Sequence, residues 1–377
     1  MRPKIVFLSV WILFILGVSC KNESVKPVQA SAENEIIYAN GFSLLNYDSF
    51  SILEVNRPWP NAVKPYKYIL VEKGSVIPDS LKRLPLITIP ISNYIVTSTT
   101  HIPALELLNE TKGLIGFPGL DFVSSKVVRE RINHGEIVDI GQNEQLNTEL
   151  ILDIEPDVVI AFGMDGVNSA LQSLTNAGVD VVYNGDWAEQ SPLGKAEWIK
   201  LFGALFNKQN QATEIFNKIV SDYNATLESI KGGVKKPTVM SGAMYQDVWY
   251  TPQGDSWMAL YFKDAQANYI WKESKGTGSL ALSFEEVYEK AENADFWINP
   301  GQYETLESLK LANPHYSQFN SYKNASVYSL TEQKGETGGV LFFELGPARP
   351  DLVLKDLVSI FHPHLLVDYT PVFYKKL

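Results

Sequence analysis

Apolar and polar positions follow three rhythms along the chain. Between residues 35 and 92 the apolar runs are short and strand-like. YKYILVE (Tyr66 to Glu72) and LITIP (Leu86 to Pro90) are rich in β-branched and aromatic residues, with Pro58, Pro60, Pro65 and Pro78 between the runs. This stretch predicts a small β-rich appendage. From Tyr94 the pattern changes to alternating strand and helix. YIVTS, GLIGFPG, DVVIAFG and VDVVYNG predict strands, and IPALELLNE, LNTELILDI and NSALQSLTNAG predict helices, the last closed by Gly178. Strands alternating with helices predict a parallel sheet.

The third rhythm is one long amphipathic run. Between Lys208 and Lys231 the apolar positions Ala212, Ile215, Phe216, Ile219, Val220, Tyr223, Leu227 and Ile230 fall on one helical face. Twenty-four residues at 1.5 Å each predict a rod of about 36 Å. Beyond it the strand–helix rhythm restarts. PTVMSGAMY, DFWINPG and ASVYSL predict strands, and SWMALYF, SFEEVYEKAEN and RPDLVLKDLVSIF predict helices. The halves on either side of the rod look alike. Glu149 opens a helix that leads to Asp157, an apolar strand and Gly163; Glu285 opens one that leads to Asp295, an apolar strand and Gly301. The Asp-to-Gly spacing is six in both. The pattern predicts an α/β protein of two similar lobes on one long helix.

The N-terminus, MRPKIVFLSVWILFILGVSC, has a charged start at Arg2 and Lys4, an apolar core from Ile5 to Val18, and Ser19 before Cys20. It has the layout of an export signal and is short for a membrane span. Cys20 after a small residue resembles the lipobox of bacterial lipoproteins, which implies acylation of Cys20 and removal of residues 1–19. Residues 20–34 are polar and predict a flexible tether. The expected organisation is therefore a signal at 1–19, a lipidated tether at 20–34, an appendage at 35–92, a first lobe at 93–206, the rod at 207–232 and a second lobe at 233–377.

Composition narrows the function. The 377 residues carry 43 acidic against 32 basic side chains, a net charge of −11, which argues against a nucleic-acid binder acting through a positive field. The single cysteine excludes an internal disulfide framework and a cysteine-cluster zinc site. G-x-S-x-G, P-loop, dinucleotide and H-E-x-x-H motifs are missing, so the chain reads as a binding protein rather than an enzyme.

Ligands of open α/β sheets bind beyond the C-terminal strand ends. The loops expected there contribute Thr99, Thr100 and His101; Phe117; Gly163 and Met164; Trp187; Tyr245, Trp249 and Tyr250; and Asn299 and Gly301. Rings, hydroxyls and glycines suit a large, partly apolar ligand. In this reading the aromatics stack on the ligand, and Thr99, Thr100, His101 and Asn299 bond to it. His101 also suits a backbone-bonded helix start, or a free metal-ion site with His134 and carboxylates. His362 and His364 follow the last long helix and read as structural. Glu149 and Glu285 suit the dipole at a helix start, which does not explain their matching placement.

The stretch from Tyr94 to Pro363 resembles the substrate-binding proteins of ABC importers for iron–siderophore complexes, haem and vitamin B12. The likeness rests on DIGQNEQLNTELILDIEPDVVIAFG, LTNAGVDVV, the long helix, LALSFEEVYEKAENADFWI, YKNASVYSL and GPARPDLVLKDLVSIFHP. It implies two Rossmann-like lobes with parallel sheets on one interlobe helix, a shallow cleft and no large hinge swing. It implies that Glu149 and Glu285 dock onto arginines of the permease, which works with an ATPase. It further implies a monomer without intrinsic cofactor that carries an iron–siderophore or similar metal-centred macrocycle, with haem or cobalamin as alternatives. Residues 35–92 have no counterpart in the minimal family. They are expected to cover the cleft, bind a partner or brace the first lobe; an enzyme or a non-transport interaction protein acting through this appendage is the remaining alternative.

Overall fold

The computed structural model describes residues 33–377 apart from Asp165, Val167, Gly233 and Val234. The signal, Cys20 and nearly all of the tether lie outside the described residues. The described chain begins at the tether's last two residues, and Asn34 already bridges to Leu45.

The predicted parallel strands, joined by Asn268–Tyr269 and Val138–Asp139, which the apolar pattern did not mark, assemble into two five-stranded sheets. In the first lobe Tyr94–Val96, Leu114–Phe117, Val158–Phe162 and Asp180–Asn184 are its first to fourth strands, lying in the order second–first–third–fourth. In the second lobe Thr238–Ser241, Asn268–Tyr269, Phe296–Ile298 and Val327–Ser329 lie in the same order. All these pairings are parallel. The internal repeat read from Glu149 and Glu285 is thus a repeat of topology. Asp157 and Asp295 hold matching positions at the entry to the third strand. Asp157 Oδ2 accepts from the Ser92 and Asn93 N–H groups at 2.8 and 2.9 Å, and Asp295 Oδ2 accepts from the Thr238 N–H at 2.7 Å. Each ties the third strand to the entry of the first.

The lobes differ at their edges. The first adds a parallel strand, Val138–Asp139, beside its second strand; the second adds an antiparallel strand, Lys375–Lys376, beside its fourth. The segment read as one strand, PTVMSGAMY, is two. Gly242 breaks it at φ +83, where a Cβ would stand 1.8 Å from the Tyr250 carbonyl oxygen, so glycine is required. The chain then enters a separate antiparallel sheet of Ala243–Tyr245, Val248–Pro252 and Ser279–Leu282, which the strand–helix rhythm did not reveal.

The long helix runs over Gln209–Ser229, 21 residues or about 32 Å. Its buried face is Ala212, Phe216, Ile219, Tyr223 and Thr226, every third or fourth residue. The Tyr223 hydroxyl donates to Asp264 at 2.6 Å in the second lobe, and the Phe216 ring meets Tyr38 edge-on at 5.7 Å.

Residues 42–89 form a four-stranded sheet of Phe42–Asn46, Phe50–Val55, Tyr66–Glu72 and Leu86–Ile89. One face, with Phe42, Leu44, Leu53, Val55 and Leu70, joins the main core. The other has a small core of its own around Phe50, Ile69 and Val71. Buried acids hold the segment before it to the first lobe. Glu197 accepts from the N–H groups of Ile37, Tyr38 and Ala39 at 2.7–3.0 Å, and Glu189 accepts from Asn40 and Gly41. Of the three roles considered for this region, the contacts are those of a brace.

Candidate functional site

Three adjoining cavities form a cleft between the lobes. One of about 480 Å³ is walled by the second lobe, with Ser241, Trp257, Met258, Asn299 and Phe342 among its lining residues. One of about 560 Å³ is walled mainly by the first, with Thr97, Ser98, Thr99, Phe117, Phe122 and Asn143. Gln302 and Phe343 line both and join them. A third, of about 270 Å³, extends past Asn143 and Phe162 to Gly163, Met164 and Asn168.

Hydrogen bonds fix the first-lobe wall. Thr97 is buried, and its hydroxyl oxygen accepts from the Phe162 N–H at 2.8 Å. Asn143 donates to the Thr97 carbonyl at 2.9 Å, and Asn168 donates to the Asn143 carbonyl at 2.8 Å. Three loops are thereby locked together. The Trp187 indole donates to the Gly163 carbonyl at 2.8 Å, and the Trp59 ring of the N-terminal segment packs under Gly163. The brace thus reaches the lip of the cleft without lining it.

The second-lobe wall carries polar atoms without partners. Ser241 is 1% exposed, and among the described residues neither its Oγ nor Oδ1 of Asn299 has a hydrogen-bond partner. Asn299 sits at φ +58, a left-handed conformation that asparagine tolerates, and its N–H donates to the Tyr328 carbonyl at 2.9 Å. The Trp257 and Phe342 rings stack beside these atoms with centroids 6.2 Å apart.

The seam between the walls is made by residues 335–344, which cross from the second lobe to the first. Gly335 and Gly339 pack against Ser124, and Thr337 donates to the Asp121 carbonyl at 2.6 Å. Glu344 lines the 560 Å³ cavity and accepts from the Ser124 N–H at 2.7 Å. Burial pushes its carboxyl up to about 7, and the neighbouring Glu106 charge adds to the rise.

The structure brings together Thr99, Phe117, Gly163, Met164, Asn299 and Gly301 of the residues singled out in the sequence, all on the cleft. It moves others away. His101 is fully buried against Phe202, both ring nitrogens lack partners among the described residues, and burial holds its pKa down to about 4. The helix start turns this side chain into the core, so it does not reach the cleft as ligand or donor. Trp249 is also fully buried. It stacks on Trp297 at 5.5 Å and donates to the Ser241 carbonyl, because its strand faces the second lobe's core. Tyr245 and Tyr250 are exposed on the antiparallel sheet, away from these cavities. Thr100 lines a separate space of only about 20 Å³. Trp187 positions the Gly163 loop. Among the described residues no group of three or more His, Cys, Asp or Glu converges as a metal site.

Sequence reasoning missed Phe122, Ser241, Trp257, Gln302, Phe343 and Glu344. The ring pair in GGVLFFELG follows two glycines, and that was the available signal. It has no periodicity to mark it as cleft rather than core.

Glu149 and Glu285 are both exposed in the first turn of a short helix. Asn147 caps the Leu150 N–H, and Ser283 makes a reciprocal capping box with Glu286. Each helix leads into the third strand of its lobe, so the two acids are equivalent in the repeat. Glu285 borders a surface hollow of about 360 Å³ with Phe284, Tyr288 and His315.

Similarity to known proteins agrees with this architecture. An uncharacterized lipoprotein of Methanocaldococcus jannaschii is 27% identical, over 93% of this chain and 87% of its own. A second uncharacterized lipoprotein of that organism is 26% identical, over 70% and 69%. Among solved structures, a possible iron-binding (periplasmic solute-binding) protein of Staphylococcus epidermidis aligns with 72% of this chain and 99% of its own, at TM-score 0.55 and 19% identity. The periplasmic haem-binding protein RhuT of Roseiflexus sp. RS-1 aligns with 73% and 99%, at TM-score 0.55 and 16% identity. At these identities the two structures speak for the fold. The model of the periplasmic binding protein family matches residues 95–334, well over half of the chain, and the protein belongs to that family.

Proposed function

We propose that the protein is the lipid-anchored binding component of an ABC importer, and that it captures a preformed metal chelate, an iron–siderophore or similar macrocycle, in the interlobe cleft. The observation that carries this reading is the cleft itself. Its adjoining cavities are walled by Trp257, Phe122, Phe342 and Phe343, with small hydroxyl and amide groups between the rings. Such walls grip an organic surface by stacking and a few directed bonds. A metal held there would arrive inside its own chelator.

Delivery would use Glu149 and Glu285. Two exposed acids at equivalent places on the two lobes suit a pseudo-symmetric permease bearing cationic sockets. Acylated Cys20 would keep the protein at the membrane, a reading supported by the lipobox-like sequence and by the lipoprotein relatives. The test is the absorption spectrum and mass spectrum of protein isolated from its native host. A co-purified chelate with a ligand-to-metal or corrin band is expected. Colourless, ligand-free protein that binds no member of a ferric siderophore, haemin and cyanocobalamin panel would overturn the reading.

A further inference from the structure

We infer that the cleft selects chelates that are neutral or positively charged and rejects anionic ones; the inference rests on the chelate-binding reading above. Among the described residues, the ionisable side chains on the three cavity linings are Asp121, Glu144 and Glu344, all acidic. The other polar lining groups are hydroxyls and amides. Glu344 is 3% exposed at the seam, and Ser124 N–H donates to its Oε2. Asp121 and Glu144 are exposed, so their carboxylates are open to a ligand in the cleft. A ligand ammonium or amide N–H therefore finds acceptors. A carboxylate or catecholate oxygen finds like charge in a partly desolvated cleft, an arrangement that costs several-fold to many-fold in affinity. The net charge of −11 adds repulsion in the same direction during approach.

The chemistry also separates ligand classes. A ferric tris-catecholate carries excess negative charge on its iron-binding oxygens, and haem carries two propionates. Ferric trihydroxamates and cobalamin carry neither. The aromatic walls suit any of these faces, so charge is the property on which the cleft can choose.

The experiment is a calorimetric titration of residues 21–377 at pH 8, where Glu344 is ionised, and at two salt concentrations. The probes are ferric desferrioxamine B, whose pendant ammonium makes it cationic, the same chelate N-acetylated to neutrality, and the same chelate N-succinylated to bear a carboxylate. Cyanocobalamin, haemin and a ferric tris-catecholate complete the panel. The expected result is that every tight binder is neutral or cationic, with the succinylated chelate at least about tenfold weaker than the cationic one where that scaffold binds. In that case the double variant Asp121→Asn, Glu344→Gln narrows the gap to about threefold or less. Tighter binding of an anionic probe than of the neutral and cationic ones would overturn the charge inference and leave chelate capture standing. Binding of no probe at all would overturn chelate capture, and the inference with it.

Discussion

The two lobes share a strand order and differ in how each holds the segment added at its outer edge. In the first lobe Glu197 is fully buried. It accepts from three consecutive N–H groups of the N-terminal segment and pairs with the buried Lys200 at 2.8 Å. In the second lobe Asp356 is equally buried. It holds the C-terminal tail by accepting from the N–H groups of Val372 and Phe373 and from the Tyr369 hydroxyl, without a basic partner among the described residues. Glu344, at the seam between the lobes, has less still. It has the Ser124 N–H at 2.7 Å and no ion pair among the described residues; Glu106 and the more weakly felt Arg129 stand nearby. The comparison shows one device, a buried carboxylate reading consecutive amides, used with decreasing compensation. Where a cation answers it, the joint is firm. Where no cation pairs with it directly, burial raises the carboxyl, as at Asp356 and more plainly at Glu344.

The comparison breaks most visibly at Glu197. Glu197→Ala strands the Lys200 charge and three amides, and should cost about 3–5 kcal/mol in denaturant unfolding. Release of the N-terminal sheet would appear as fast amide exchange over residues 36–72. An unchanged midpoint and unchanged exchange would mean that the sheet holds without this joint.

Asp356→Ala leaves the tail amides unmade without stranding a cation. Its expected cost is smaller, about 2–3 kcal/mol by the same measurement. A loss equal to that of Glu197→Ala would remove the distinction between the two joints.

Glu344→Gln should act in the opposite direction. The folded carboxyl titrates near 7, above its ordinary value, so its favourable contribution is complete at acid pH and is lost as pH rises through about 7. The glutamine variant should match the wild type at pH 5 and exceed it by about 2 kcal/mol at pH 8, seen as a higher Tm. A variant less stable at pH 8 would show that Glu344 is needed as an anion.

The smallest effect on the protein itself is expected at the two exposed acids. Glu149→Lys with Glu285→Lys should leave Tm within about 1 °C and ligand affinity unchanged, as for surface substitutions generally. Transport by the reconstituted importer should be abolished. Reduced affinity would instead place these acids in the binding site.

Much of this architecture was legible in the sequence because it follows periodicity. The longer parallel strands, the long helix and the Glu–Asp–Gly repeat leave a regular trace in the sequence; the two-residue strands Val138–Asp139 and Asn268–Tyr269 are too short to leave one. The antiparallel sheet around Val248–Pro252 left none, since its turn at Gly242 lies inside an apparently continuous strand. The cleft was legible as a place, beyond the strand ends, but less so as a set of side chains. A loop sequence does not say which way each ring turns. His101 and Trp249 turn inward to the core, whereas Phe343 is 53% exposed on the seam. Glu344 was invisible because its importance comes from a contact 220 positions away, at Ser124.

That contrast between rings allows capture between the lobes to be tested directly. Phe343 lines both large cavities and Tyr250 lines none of the three, yet both are exposed enough to truncate without a core cavity. Chelate affinity is to be measured by titration for wild type, Phe343→Ala and Tyr250→Ala, using the tightest probe of the panel. One-to-one binding is expected, with a loss of about tenfold or more in Phe343→Ala and no change in Tyr250→Ala. Loss in Tyr250→Ala with Phe343→Ala unaffected would place the ligand on the antiparallel sheet and contradict capture between the lobes.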